Sequence, residues 1–221
     1  MDKEKFGTNI FSHLAVMPMA TTVLFPGTVL PLHVTDSDIV LLLEDAIASE
    51  AIVGVVRLDP TSGPTESLAK VCAVGCVGRI IHAEKLANDS YNVLIQGVQR
   101  MNIIKEIPSE RYRRFHVELM PLPTEKDLEE ASLELGRLES CIMSLRTSLE
   151  DKDAQLGEVL RSTPDPVQIA DVLAAAVISD SDLQQKLLAA QKVRNRIQML
   201  IDGLAEVMVR VGEPPKTAQM N

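Results

Sequence analysis

Tryptophan is absent from this chain of 221 residues and aromatic side chains make up only 3% of it. The stacking platforms that single-stranded nucleic acids need are therefore missing. Basic residues are also in the minority: 22 Lys and Arg face 31 Asp and Glu, for a formal charge of −9. A chain with that balance has no positive field to displace counterions from DNA or RNA, so no nucleic-acid partner is expected. No apolar run approaches the ~20 residues that span a bilayer, and the opening MDKEKFGTNIF lacks a basic-then-apolar leader. No membrane partner is expected, and the compartment reads as cytoplasmic. Cysteine is scarce too. Cys72, Cys76 and Cys141 are odd in number and have no framework spacing, which suits free thiols in a reducing compartment.

Several catalytic signatures are missing as well. A nucleotide-hydrolysing loop ends in Gly-Lys before Ser or Thr, so that backbone N–H groups and an ammonium hold the phosphates, and no Gly-Lys pair occurs anywhere. Neither Gly-x-Ser-x-Gly nor His-Glu-x-x-His is present. His13, His33, His82 and His116 are scattered, without a companion that marks a triad. Cys72, Cys76 and His82 form the best metal candidate by donor type, because thiolates and imidazole suit zinc. On one strand the two thiols would stand roughly 13 Å apart, too far for a single ion, so they read as small buried apolar residues. Asp36 and Asp38 read as helix-capping acids rather than a catalytic pair. Arg111, Arg113 and Arg114, flanked by Glu106, Glu110 and Glu118, read as a solvated strand face. No catalytic residue, cofactor or metal is expected.

What is present divides at about residue 123. Up to there, short Val- and Ile-rich runs (51–59, 70–84, 90–107 and 112–122) alternate with DPTSGP, LAND and PSE turns, which predicts strands. One helix interrupts them over DSDIVLLLEDAIASE, capped by Asp36 or Ser37, with Ile39, Leu42, Leu43, Ala46 and Ile47 on one face. Beyond MPLPTEKD the period becomes helical. Thr124 and Asp127 have capping-box spacing, and Leu128, Ala131, Leu135, Leu138, Ile142, Leu145 and Leu149 follow at steps of three and four. That seam suits packing in a small bundle, and it is also long enough for self-association, so a homo-oligomer is a further expectation. Asp165 with Pro166 opens the next helix. A single longest helix is predicted from Asp180 through Val211, its stripe formed by Leu183, Leu187, Ala190, Ile197, Leu200, Ile201, Leu204 and Met208. Gly212, Pro214 and Pro215 then stop it. The predicted organisation is a β-rich unit over 1–123, a helical bundle over 124–212 and a flexible tail over 213–221.

The segment MPMATTVLFPGTVLPLHV sets two prolines and a glycine between β-rich runs. With the later VLIQGVQR it resembles the N-terminal substrate-binding domain of the Lon proteases, through Pro18, Phe25, Pro26, Gly27, Pro31 and Leu32, then Val93, Leu94, Ile95, Gly97 and Arg100. The helical part is similar to the bundle that follows that domain, and the resemblance covers about residues 14–209. It implies an α+β fold, a PUA-like β pseudo-barrel followed by a C-terminal α-helical bundle, and a non-enzymatic module that engages unfolded or flexible polypeptide segments. Phe25, Leu32, His33 and Met101 are the expected partner-binding residues, with extended-peptide pairing at an open sheet edge or apolar burial in a groove as the mode of contact. Nothing resembling the Lon ATPase and Ser–Lys peptidase domains occurs in the chain, and the breaking of the last helix by GEPPKTAQMN points to a stand-alone module. Proline cannot donate to a β ladder, so Pro26 and Pro31 are expected at strand ends or on an edge. The rival readings are a small peptidase-like hydrolase built from His with Asp or Ser, and a helix-mediated assembly protein.

Overall fold

The computed structural model of the protein describes residues 10–62, 70–149 and 165–212, with side chains up to 143 and 206 in the helices that end the last two spans. Six strands carry the first part: β1 (Ile10–Met19), β2 (Val29–Val34), β3 (Ile52–Arg57), β4 (Val74–Lys85), β5 (Tyr91–Ile107) and β6 (Arg114–Leu119), with α1 (Ser37–Ile47) between β2 and β3. Helices α2 (Glu125–Glu130), α3 (Ser132–Leu149), α4 (Pro166–Val177), α5 (Ser181–Ala189) and α6 (Val193–Gly212) follow. The fold is mixed α+β.

The strands form one sheet in the order β2-β5-β4-β3-β1-β6, and β6 also pairs with β5, which closes a ring of five strands. Closure depends on the length of β5. Its first half, Tyr91–Gln96, pairs with β2 on one side and β4 on the other, while Met101–Ile107 pairs with β6. Bulges between Val77 and Gly78 and between Ile80 and His82 add the twist that such a closed sheet needs. Strand β2, paired only with β5, is the open edge among the described residues.

Inside the ring, Leu14, Val16, Val56, Val77, Met101, Phe115, Val117 and Leu119 form one apolar cluster. A second lies under α1, where Leu42, Leu43 and Ala46 pack on Val34, Val53, Val55, Ile80, Val93 and Ile95. Asp36 caps α1 by accepting from the Asp38 and Ile39 amides. Ile47, expected on the buried face of that helix, is exposed.

The third cluster joins the two parts. Leu138, Ile142, Leu173, Leu187, Leu188, Ile197, Leu200 and Leu204 from the helices share it with Val23, Phe25, Val74 and Met120 from the β-rich part. The seam expected along 128–142 faces this core: Ala131, Leu138 and Ile142 are buried, and Leu128 and Leu135 pack against them. The side chains of Leu145, Leu149 and Met208 lie outside what is described, as does the whole of the tail 213–221. The Thr124–Asp127 capping box forms, and Asp165 caps α4 with Pro166 in its first turn. The helix predicted from Asp180 onward is in fact two, α5 and α6, broken at Ala190–Lys192.

Candidate functional site

The turn between β1 and β2 explains the two prolines and the glycine. Phe25-Pro26-Gly27-Thr28 is a four-residue reversal in which the Thr28 amide donates to the Phe25 carbonyl at 3.2 Å and the Thr28 hydroxyl donates to the same oxygen at 2.8 Å. Proline in the second position and a left-handed residue in the third, Gly27 with φ 79°, define a type II turn. The turn is anchored on β5: the Gly27 amide donates to the Gly97 carbonyl and the Gly97 amide to the Thr28 carbonyl, both at 2.8 Å. A Cβ on Gly97 would overlap the Phe25 carbonyl, so the turn approaches β5 only because residue 97 has no side chain. The Phe-Pro-Gly and Val-Leu-Ile-x-Gly stretches, 72 positions apart at Phe25 and Gly97, are thus two halves of one contact.

Three positions further along β5, Arg100 points into the helical part. Its two terminal nitrogens grip the Asp171 carboxylate of α4 at 2.8 and 2.5 Å, and its Nε donates to the Leu188 carbonyl of α5 at 3.0 Å. Arg196 of α6 approaches the same carboxylate at 3.7 Å. All three side chains are buried. Burial pulls the Arg196 guanidinium down to about 10, and the charge of Arg100 acts in the same direction. Arg57 at the end of β3 makes a second tie, to the Ser181 carbonyl at 3.1 Å and Asp182 at 2.6 Å, and Gln185 donates to the Val74 carbonyl at 2.9 Å. Arg100 was legible in the sequence as a motif residue. Asp171 was not singled out, although an acid within the apolar stripe Val167, Ala170 and Ala174 is the kind of signal that points to a buried cation.

The four expected contact residues separate. Phe25 and Met101 are fully buried, Phe25 under the helices and Met101 inside the ring, so neither has surface to offer a partner. Leu32 is half-buried and turns toward the α1 cluster. His33 is exposed, its Nδ1 sharing a hydrogen bond of 2.9 Å with the Asn92 side-chain oxygen. Strand alternation puts His33 on the outer face together with Val29 and Pro31. Register extends that face across β5 and β4, since Pro31 is opposite Leu94 and Leu94 is opposite His82, with Ile81 bulged outward beside it. Val29 and Ile81 are 47% and 48% exposed, large apolar residues at either margin of the patch. Pro31 lies on the open edge, as its missing N–H requires.

The other candidates do not assemble. Cys76 is buried and its thiol is pushed up to about 12 by desolvation, whereas His82 is exposed toward the far end of β4. Among the described residues, no group of three His, Cys, Asp or Glu is placed to hold a metal. Arg111 and Arg113 pair with Asp45 and Glu106, and Arg114 donates to the Tyr112 hydroxyl. No described helix is long and apolar enough to cross a membrane.

A closed small sheet with a helical layer fastened to it is the architecture of two solved N-terminal domains of Lon proteases. The domain from the Mycobacterium avium complex superposes with a TM-score of 0.67 over 88% of this chain and 99% of that one, at 18% identity. The Xanthomonas campestris domain gives 0.61 over 87% and 98%, also at 18% identity. The chain itself belongs to the family of the ATP-dependent protease La (LON) substrate-binding domain, whose model matches residues 13–206. Curated relatives include Lon proteases of Anaeromyxobacter dehalogenans, 25% identical over 192 residues, and Roseiflexus castenholzii, 29% identical over 194. Each alignment covers 86% of this chain but only 22% and 24% of the respective relative, so the chain spans less than a quarter of their length.

Proposed function

We propose that this protein is a polypeptide-recognition module of the Lon substrate-binding type, a PUA-like pseudo-barrel followed by a helical bundle, without catalysis of its own and at work in the cytoplasm. Its partners are unfolded or flexible polypeptide segments rather than nucleic acid, in keeping with a net charge of −9. The family match supports the class of activity, and the observation that carries the location is the outer face of β2-β5-β4. There Val29 and Ile81, 47% and 48% exposed, flank Pro31 and Leu94, with His33 at the margin and Leu32 behind. Contact is side-chain burial on this face rather than strand addition. Pro31, in the middle of the open edge, withholds the N–H that an added strand needs, and the rest of the sheet is closed.

The test is a titration of a fluorescently labelled, permanently unfolded protein against the wild-type chain and the Val29→Asp and Ile81→Asp variants, at low and high salt. Each aspartate is expected to weaken binding about tenfold, because it puts a charge where an apolar contact forms. Salt is expected to change the affinity little, since the contact is apolar. Wild-type affinity in both variants would move the site elsewhere, and no binding by the wild-type chain would remove the reading.

A further inference from the structure

Residues 187–194 read Leu-Leu-Ala-Ala-Gln-Lys-Val-Arg, with neither glycine nor proline. Leu, Ala, Gln, Lys and Arg are among the strongest helix formers, and a continuous helix from Ser181 onward is the local preference of this segment. The chain nevertheless bends. Ala190 is extended, with φ −66° and ψ 108°, and its amide closes the last turn of α5 on the Lys186 carbonyl at 3.0 Å. Among the described residues, the Gln191 and Lys192 amides have no hydrogen bond.

In an unbroken helix the Leu188 carbonyl would accept from the Lys192 amide, four residues on. It accepts instead from Arg100 Nε, a donor 88 positions away in sequence. The two remaining arms of Arg100 are held by Asp171, which also draws Arg196 in the first turn of α6 to 3.7 Å. The corner is therefore fastened on both sides to one buried hub. Straightening it would bring the Lys192 amide onto the Leu188 carbonyl in competition with Arg100 Nε, and displacing a buried charged donor from its acceptor is costly.

We propose that Arg100 is the helix breaker of this fold: by occupying the Leu188 carbonyl from β5 it keeps residues 181–212 as two helices, and without it the segment closes into one helix through residues 190–192. The competing cause is the shared core, because Leu187 and Leu188 before the corner and Ile197 and Leu200 after it are buried together.

Amide hydrogen exchange on the full chain separates the two causes. Arg100→Lys keeps a cation for Asp171, but its donors radiate from a single nitrogen, which, drawn to that carboxylate, loses the separate Nε–H that Leu188 receives from arginine. It is expected to slow exchange of the Gln191 and Lys192 amides by roughly tenfold or more. Adding Gln191→Pro should restore fast exchange at Lys192. The proline takes an amide that has no bond, and it requires the residue before it to be extended, as Ala190 already is. Wild-type exchange at Gln191 and Lys192 in Arg100→Lys, with β5 and α6 still protected, would overturn the proposal and assign the corner to core packing. If Arg100→Lys does not fold, the same cycle is read by thermal melting. Recovery of a cooperative transition on adding Gln191→Pro supports the proposal, and failure to recover one overturns it.

Discussion

Glycines in this fold answer to different demands, and substitution by alanine separates them. At Gly97 a methyl group would collide with the Phe25 carbonyl, a backbone atom that moves only with the whole turn. Gly97→Ala is expected to cost roughly 3 kcal/mol, the upper range for an overpacked site. At Gly27 the obstacle is the flexible amide of Gln168, 2.6 Å from the added carbon, together with a left-handed φ of 79°. About 1 kcal/mol is expected there, since the side chain can move and the backbone penalty remains. Gly136 lies within α3 with nothing within 4 Å of an added Cβ, so Gly136→Ala should stabilise by about 0.5–1 kcal/mol. Urea titrations of the three variants check the order 97, 27, 136 from most harmful to beneficial. A neutral Gly97→Ala would mean that the two motif stretches do not touch.

At the scale of elements, helix α3 shows which part of a periodic pattern the fold uses. Leu138 is 1% exposed within the core shared with α6, whereas Leu133, one turn and a half earlier on the same helix, is 61% exposed. Leu138→Asp is expected to cost about 4 kcal/mol or prevent folding, through the lost apolar burial and an unpaired buried carboxylate. Leu133→Asp should stay within about 0.5 kcal/mol of wild type. Denaturant midpoints of the two variants decide it, and similar costs would show that the Leu133 face of α3 is buried as well, against a second copy of the chain. The same seam is interrupted at Ala131, where α2 ends and α3 begins, although Leu128 before it and Leu135 after it keep their apolar contacts.

For the molecule as a whole, the boundary at residue 123 marks a change of period but not a division of the core. Val23, Phe25, Val74 and Met120 are buried in the helical cluster, and Arg57 and Arg100 find their partners on α4 and α5. A fragment of residues 1–123 would expose those apolar side chains to water and lose both arginine ties to the helices. It is expected to lack a cooperative thermal transition and to bind a hydrophobic dye, while the full chain melts in one step. A fragment that melts cooperatively near the temperature of the full chain would show that the closed sheet is stable by itself. Polypeptide binding therefore has to be measured on the whole protein, because loss of binding by the fragment would report unfolding as readily as a missing site.

The amino-acid sequence determined whatever depends on neighbours in the chain. Asp36, Thr124 and Asp165 cap helices because a side-chain oxygen can reach amides two or three residues on. Pro26 and Gly27 form the turn because their own φ values suit it. Alternation on β2 also separated Leu32 from His33. Tertiary structure decided what depends on residues far apart. The ring closes because β5 is long enough to pair with β2, β4 and β6, a property no local pattern reveals. Phe25, in a motif position, and Met101, directly after one, became core instead of contact surface once the helices and the opposing strands covered them. The bend between α5 and α6 runs against its own helix propensity, because a carbonyl satisfied by Arg100 no longer needs the amide four residues ahead.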